Sequence, residues 1–100
     1  MLTSWPFEDS PDTACFTTRS VLIRQKPVVV VKHDDEDDCW HFLCDVDVDA
    51  LDARVVSLRE LLQLAPDLAE VANLPPGWTA VRNSLTSDWR RFETDDGELT

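Results

Sequence analysis

His33 and His41 flank Cys39 and a run of carboxylates, Asp34-Asp35-Glu36-Asp37-Asp38, so one short stretch holds every donor type that binds a divalent metal. The spacing argues against that chemistry. Zinc sites draw ligands in close pairs, C-x-x-C or H-x-x-x-H, and neither pair occurs here. An imidazole beside an acidic turn is expected as an ordinary surface residue. Asp45-Val46-Asp47-Val48-Asp49 has the alternating carboxylates of a calcium loop, but Ala50 stands where the loop needs Gly and Val56 where it needs Glu. Alternation of Asp with Val reads more simply as a strand edge with one wet face. Nucleophilic catalysis needs Ser or Cys, a His base and an orienting acid. Those residue types are present, but there is no G-x-S-x-G, and Gly77 and Gly97 are too few for a phosphate-cradling loop. The expectation is a chain with no catalytic residue, no metal ligand and no cofactor. A small hydrolase is the enzymatic alternative.

Charge says more. The 100 residues carry 20 acidic and 9 basic side chains, a formal net charge of −11. That balance disfavours a nucleic-acid backbone, which needs clustered Lys and Arg, and an anionic membrane surface. Between Asp34 and Asp52 lie nine carboxylates and no Lys or Arg. Such a stretch suits docking against a basic protein surface, where charge complementarity raises the encounter rate. A solvated loop, where Asp is at home, is the plainer reading. The candidate partner-binding residues are Asp34, Asp35, Glu36, Asp37, Asp38, Asp45, Asp47 and Asp49, with Trp78 and Trp89 as aromatic anchors. Large aromatics in strands are more often core than interface, but a domain this small cannot fully bury every indole.

The elements that must position these residues follow from periodicity. Residues 1–13 read as an irregular arm that Trp5 and Phe7 could pin down. Residues 14–93 form one domain, and 94–100 an acidic tail. Ala14–Thr17 is a candidate strand and Ser20–Gln25 a helical turn. The β-branched run Val28–Val31 predicts a central strand, paired antiparallel through the acidic turn with Trp40–Leu43. A brief strand is expected at Arg54–Val56. Ser57-Leu58-Arg59-Glu60 has capping-box spacing, with Leu58, Leu61, Leu62 and Ala65 on one helix face. Pro66 opens a second helical segment with Leu68, Val71 and Ala72 inward. Trp78–Asn83 and Asp88–Glu93 predict a terminal hairpin of undecided register, on which Arg82, Arg90 and Arg91 pair with acids or stack on indoles. The expected fold is α+β: an antiparallel sheet of about four or five strands with one or two short helices on one face.

The cysteines are Cys15, Cys39 and Cys44. Their odd count, with Cys39 and Cys44 about 16 Å apart along one strand, predicts thiols without disulfides and a reducing, cytoplasmic setting. Met1–Asp9 has neither the basic start nor the apolar run of a secretory signal, and the longest apolar stretch, Pro27–Val31, is too short to cross a bilayer. Oligomeric state is not legible.

Pro66-Asp67-Leu68, Leu74-Pro75-Pro76-Gly77-Trp78-Thr79-Ala80-Val81-Arg82, the acidic hairpin and Trp40-His41-Phe42 together resemble small bacterial domains grouped with the immunity proteins of polymorphic toxin systems. The resemblance spans roughly residues 15–92. It implies a cytoplasmic bacterial protein that neutralises a toxin by binding it, and it carries over no catalytic residue. The alternative is a small structural or regulatory subunit.

Overall fold

Val30–His33 (β2) and Trp40–Leu43 (β3) pair antiparallel at the centre of a six-stranded sheet, with Val31 opposite Phe42 and His33 opposite Trp40. The structure, a computed structural model, describes residues 5–36, 39–45 and 50–94. The strand expected at Val28–Val31 is displaced two residues toward the turn. Val29 still joins the sheet, its N–H donating to the Leu43 carbonyl and its carbonyl accepting from the N–H of Arg82.

Beside this hairpin lie Ala14–Thr18 (β1), Ala53–Ser57 (β4), Trp78–Val81 (β5) and Arg90–Glu93 (β6), in the order β4-β1-β3-β2-β5-β6. The protein is α+β, as expected, with one more strand than the highest count anticipated. One pairing corrects the purely antiparallel expectation: β1 runs parallel to β3, with Phe16 against His41, while every other pair is antiparallel. The reason is non-local. After β1 the chain makes a helical turn, Arg19–Leu22 (α1), and enters the sheet one strand farther along, so β3 returns in the direction of β1.

Strand alternation sorts the side chains. Cys15, Val31, Phe42 and Ala80 fall on one face and are each 0% exposed. Over them lies Leu58–Leu64 (α2), followed by a 3-10 segment, Pro66–Val71. Ser57 starts α2 with the expected capping box: its hydroxyl accepts from the N–H of Glu60, whose carboxylate accepts from the N–H of Ser57. Leu58, Leu61, Leu68, Val71 and Ala72 all point inward. The arm joins the same layer, with Phe7 buried against Trp40 edge-on at 5.0 Å.

The opposite face is barer. Val55, Phe16, His41, Lys32, Thr79 and Phe92 form one register row across all six strands. Phe16 stacks on His41 at 4.9 Å, whereas Val55 and Phe92 remain 61% and 45% exposed.

α1 ends in a Schellman motif: the N–H of Gln25 donates to the Ser20 carbonyl and that of Arg24 to the Val21 carbonyl. The position that usually takes Gly is Arg24, at φ 62°. A side chain there meets the steric cost of the left-handed region, about 1–2 kcal/mol, part of which Gly recovers after its own chain entropy is subtracted. Arg24→Gly is therefore expected to stabilise the protein by about 0.5–1 kcal/mol in urea denaturation. A destabilisation would mean that the arginine side chain contributes more than the backbone strain costs.

Candidate partner-binding surface

The acidic tip grows directly out of β2 and β3. The N–H of Asp34 donates to the Cys39 carbonyl at 2.8 Å, closing the turn, and Asp34 Oδ1 accepts from the N–H of Glu36. This local bonding suits Asp in a turn. Asp34 is half-buried, and Asp35 and Glu36 are exposed. Asp37 and Asp38 lie outside the described residues.

Under the tip sits His33, which the sequence reading placed on the surface. It is buried instead, stacked on Trp40 at 3.9 Å, with its Nδ1–H donating to the Leu74 carbonyl at 2.7 Å. The cause is cross-strand register: His33 and Trp40 are directly opposed on the helix-covered face. Trp40 in turn donates from Nε1 to Asp9 Oδ2, and Trp5 Nε1 donates to the Asp9 carbonyl. The arm is thus buckled onto the tip end of the sheet by Asp9. Sequence reasoning saw Trp5 and Phe7 as pins but missed Asp9 and its neighbour Glu8.

A third segment meets the tip. Leu74-Pro75-Pro76-Gly77 leads into β5 through a type II turn: the N–H of Trp78 donates to the Pro75 carbonyl, and Gly77 has φ 86°. The N–H of Gly77 donates to the His33 carbonyl, and a Cβ at Gly77 would lie 3.4 Å from Asp35 Cβ. Gly77→Ala is expected to cost about 1–2 kcal/mol, because the left-handed position penalises any side chain. Thermal denaturation measures the loss. A neutral result would mean that the turn relaxes to another type.

Two clefts flank His33. One, of about 250 Å³, is lined by Lys32, Asp34, Asp35, His41, Gly77 and Thr94. The other, of about 510 Å³, lies between the arm and the proline turn and includes Glu8, Asp9 and Trp40. Lys32 thus shares a cleft with Asp34 and Asp35, so the tip is not devoid of basic neighbours as its sequence suggested. Thr94, expected to begin the acidic tail, is tied to the sheet. Its N–H donates to the Gly77 carbonyl, and its hydroxyl lies 2.6 Å from that of Thr79. Residues 95–100 are outside the described residues.

The remaining candidates divide. Trp78, opposite His33, is half-buried at the tip end. Asp45 is exposed but lies beyond the other end of β3, roughly 20 Å from Cys39 at a strand's rise per residue. Trp89 also belongs to that far end, next to Arg90, which pairs with Val81. It is half-buried, with the Arg82 guanidinium 4.2 Å over its ring. Asp47 and Asp49 are outside the described residues, as is most of the Asp/Val alternation. The structure therefore gathers Asp34, Asp35, Glu36 and Trp78 at one end of the sheet, adds Glu8 and Asp9, and leaves Asp45 and Trp89 at the other.

Among the described residues no group of three His, Cys, Asp or Glu converges to hold a metal ion, and no helix is long and apolar enough to cross a membrane. No protein-family model, curated protein or solved structure matches this chain. What the fold and site define is an acidic α+β protein whose carboxylates are presented on a braced sheet end.

Proposed function

We propose that this chain is a non-catalytic protein-binding module that takes a partner with a basic surface, working in the cytoplasm in the manner of a toxin-neutralising immunity protein. The observation that carries the reading is the mounting of Asp34, Asp35 and Glu36. They project from a tip held from below by the His33–Trp40 stack and from the side by the Gly77 turn. Binding through Asp34, Asp35 and Glu36 held in this way requires little further ordering of them, which lowers the entropic cost of association. The net charge of −11 draws a basic partner from a distance.

The test replaces Asp34, Asp35, Asp37 and Asp38 with Asn. Asn keeps the Oδ1 acceptor that Asp34 offers the N–H of Glu36, and a solvated turn charge contributes within about half a kcal/mol to stability, so the melting temperature is expected to change little. Association with a basic protein encoded beside this chain's gene, followed by stopped flow at low salt, should slow by roughly tenfold or more. The difference should shrink as ionic strength rises. Unchanged association at low salt would sink the reading. A large loss of stability would assign these aspartates a structural role instead.

A further inference from the structure

We propose that β6 is a self-pairing edge through which two copies of this chain join their sheets, with Phe92 on the two-fold axis. Among the described residues β6 is the last strand on its side of the sheet, and all four of its residues are exposed. An uncovered edge presents unpaired backbone groups in a fixed pattern. Here the pattern is readable. The N–H of Thr94 donates inward to the Gly77 carbonyl, so by alternation the backbones of Phe92 and Arg90 also face β5. The N–H and C=O groups of Arg91 and Glu93 therefore face outward.

A two-fold axis perpendicular to the sheet makes an antiparallel pair in which like faces stay together. Centred on Phe92, it sets Arg91 opposite Glu93 of the second copy, and Glu93 opposite the second Arg91. Those are the residues with outward backbone groups, so four N–H···O bonds form across the axis. Both ion pairs fall on the helix-covered face, and the two Phe92 rings meet on the bare face as a close, non-hydrogen-bonded pair. Centring the axis on Arg91 or Glu93 would instead place like charges opposite each other. Arg91 keeps donors for this contact: it uses one on Asn73 Oδ1 and one on the Glu70 carbonyl, out of five. The other sheet edge has no such match, because centring β4 on Val55 would oppose Arg54 with Val56.

The pairing extends the row that ends at Phe92 into a twelve-strand surface, two copies of the six-stranded sheet. Its contact area is small, so the dimer is concentration-dependent. Each copy carries −11, and that long-range repulsion is screened by salt far more than contact pairs a few ångströms apart. Dimerisation should therefore strengthen with ionic strength, opposite to the salt dependence of capturing a basic partner.

Sedimentation of the full chain from micromolar to millimolar concentration should show a dimer fraction that rises with concentration and with salt. Glu93→Pro removes an outward N–H at a position where an edge strand tolerates proline, and should weaken the dimer by about tenfold or more while leaving the circular dichroism unchanged. Glu93→Lys, which retains the backbone donor, should weaken it comparably by opposing Arg91. In a Cys39→Ser/Cys44→Ser background, Phe92→Cys should bridge between copies on mild oxidation, since opposed residues at the axis lie within disulfide reach. Leu85→Cys, at a position more exposed than Phe92, should not. A chain that stays monomeric throughout, a dimer indifferent to both Glu93 variants, or equal bridging through residue 85 would overturn the proposal.

Discussion

Arg82→Ala is expected to destabilise the protein by about 3 kcal/mol. The Arg82 side chain is only 2% exposed and makes three kinds of contact. Nε and Nη2 donate to the Val28 carbonyl at 3.1 and 2.8 Å, Nη1 lies 2.8 Å from Asp67 Oδ2, and the guanidinium plane covers the Trp89 ring. Truncation leaves a buried carbonyl without a donor, which alone costs about 1–3 kcal/mol. It also enlarges the cavity of about 300 Å³ that Arg82 lines with Val21, Leu64 and Pro66. Asp67 matters less. Its side chain is 37% exposed overall, but Oδ2 itself is buried and meets Arg82 as an ion pair without an aligned hydrogen bond. Asp67→Asn keeps a side-chain oxygen beside Arg82 but removes the charge, and should cost less than Arg82→Ala, about 1–2 kcal/mol. Urea unfolding of the two variants measures the contrast. An Arg82→Ala loss no greater than that of Asp67→Asn would show that the guanidinium contributes charge rather than burial and bonding.

Alkaline unfolding should be governed by Cys15. Burial, with a smaller contribution from the Glu60 carboxylate, raises its thiol from 9.0 to about 12. In the window between those values the unfolded chain has released a proton that the native state keeps, so stability falls as pH rises. Below pH 9 the contribution is complete; it disappears through about pH 12. The chain has no Tyr, so no phenol contributes to the slope in this window. Tryptophan fluorescence should report a steep loss of urea resistance in this window. Cys15→Ala should be less stable at neutral pH yet show a shallower alkaline slope. A parallel slope in the variant would place the sensitivity elsewhere. Thiol reagents should likewise modify the half-exposed Cys44 in the native protein, and Cys15 only after unfolding.

The features legible in the sequence are those specified by neighbours. The capping box of Ser57 and Glu60, the inward leucines of α2, the β2–β3 hairpin and the β5–β6 hairpin each depend on residues a few positions apart. The features that were not legible depend on the third dimension. Nothing local to Ala14–Thr18 says that it inserts between β3 and β4. Nothing in Arg82 or His33, both ordinarily surface residues, announces burial. Each is drawn inside by a carbonyl from a distant segment, Val28 for one and Leu74 for the other. The acidic stretch looked continuous because it is continuous in the chain. Once Trp40–Leu43 is extended, Asp34, Asp35 and Glu36 stand at one end of the strand and Asp45 at the other. The Glu8–Asp9 contribution was hidden in an arm that sequence patterning reads as irregular.

The position of β1 also fixes an order of events during folding. It emerges from the ribosome before the other five described strands of the sheet, yet its two neighbours, β3 and β4, follow much later. Phe16 must wait first for His41 and then for Val55. Closing those loops costs chain entropy before any contact offsets it, whereas the β2–β3 turn closes at once. Pulse-labelling hydrogen exchange should therefore find amides of β2 and β3 protected before those of β1 and β4. Until β4 is made, β1 can add to the sheet through β3 alone, with its other edge open. Nascent chains that have cleared the ribosome through β3 but not β4 should be the species most prone to aggregate, because an unpaired strand edge lies beside a hydrophobic layer not yet roofed by α2.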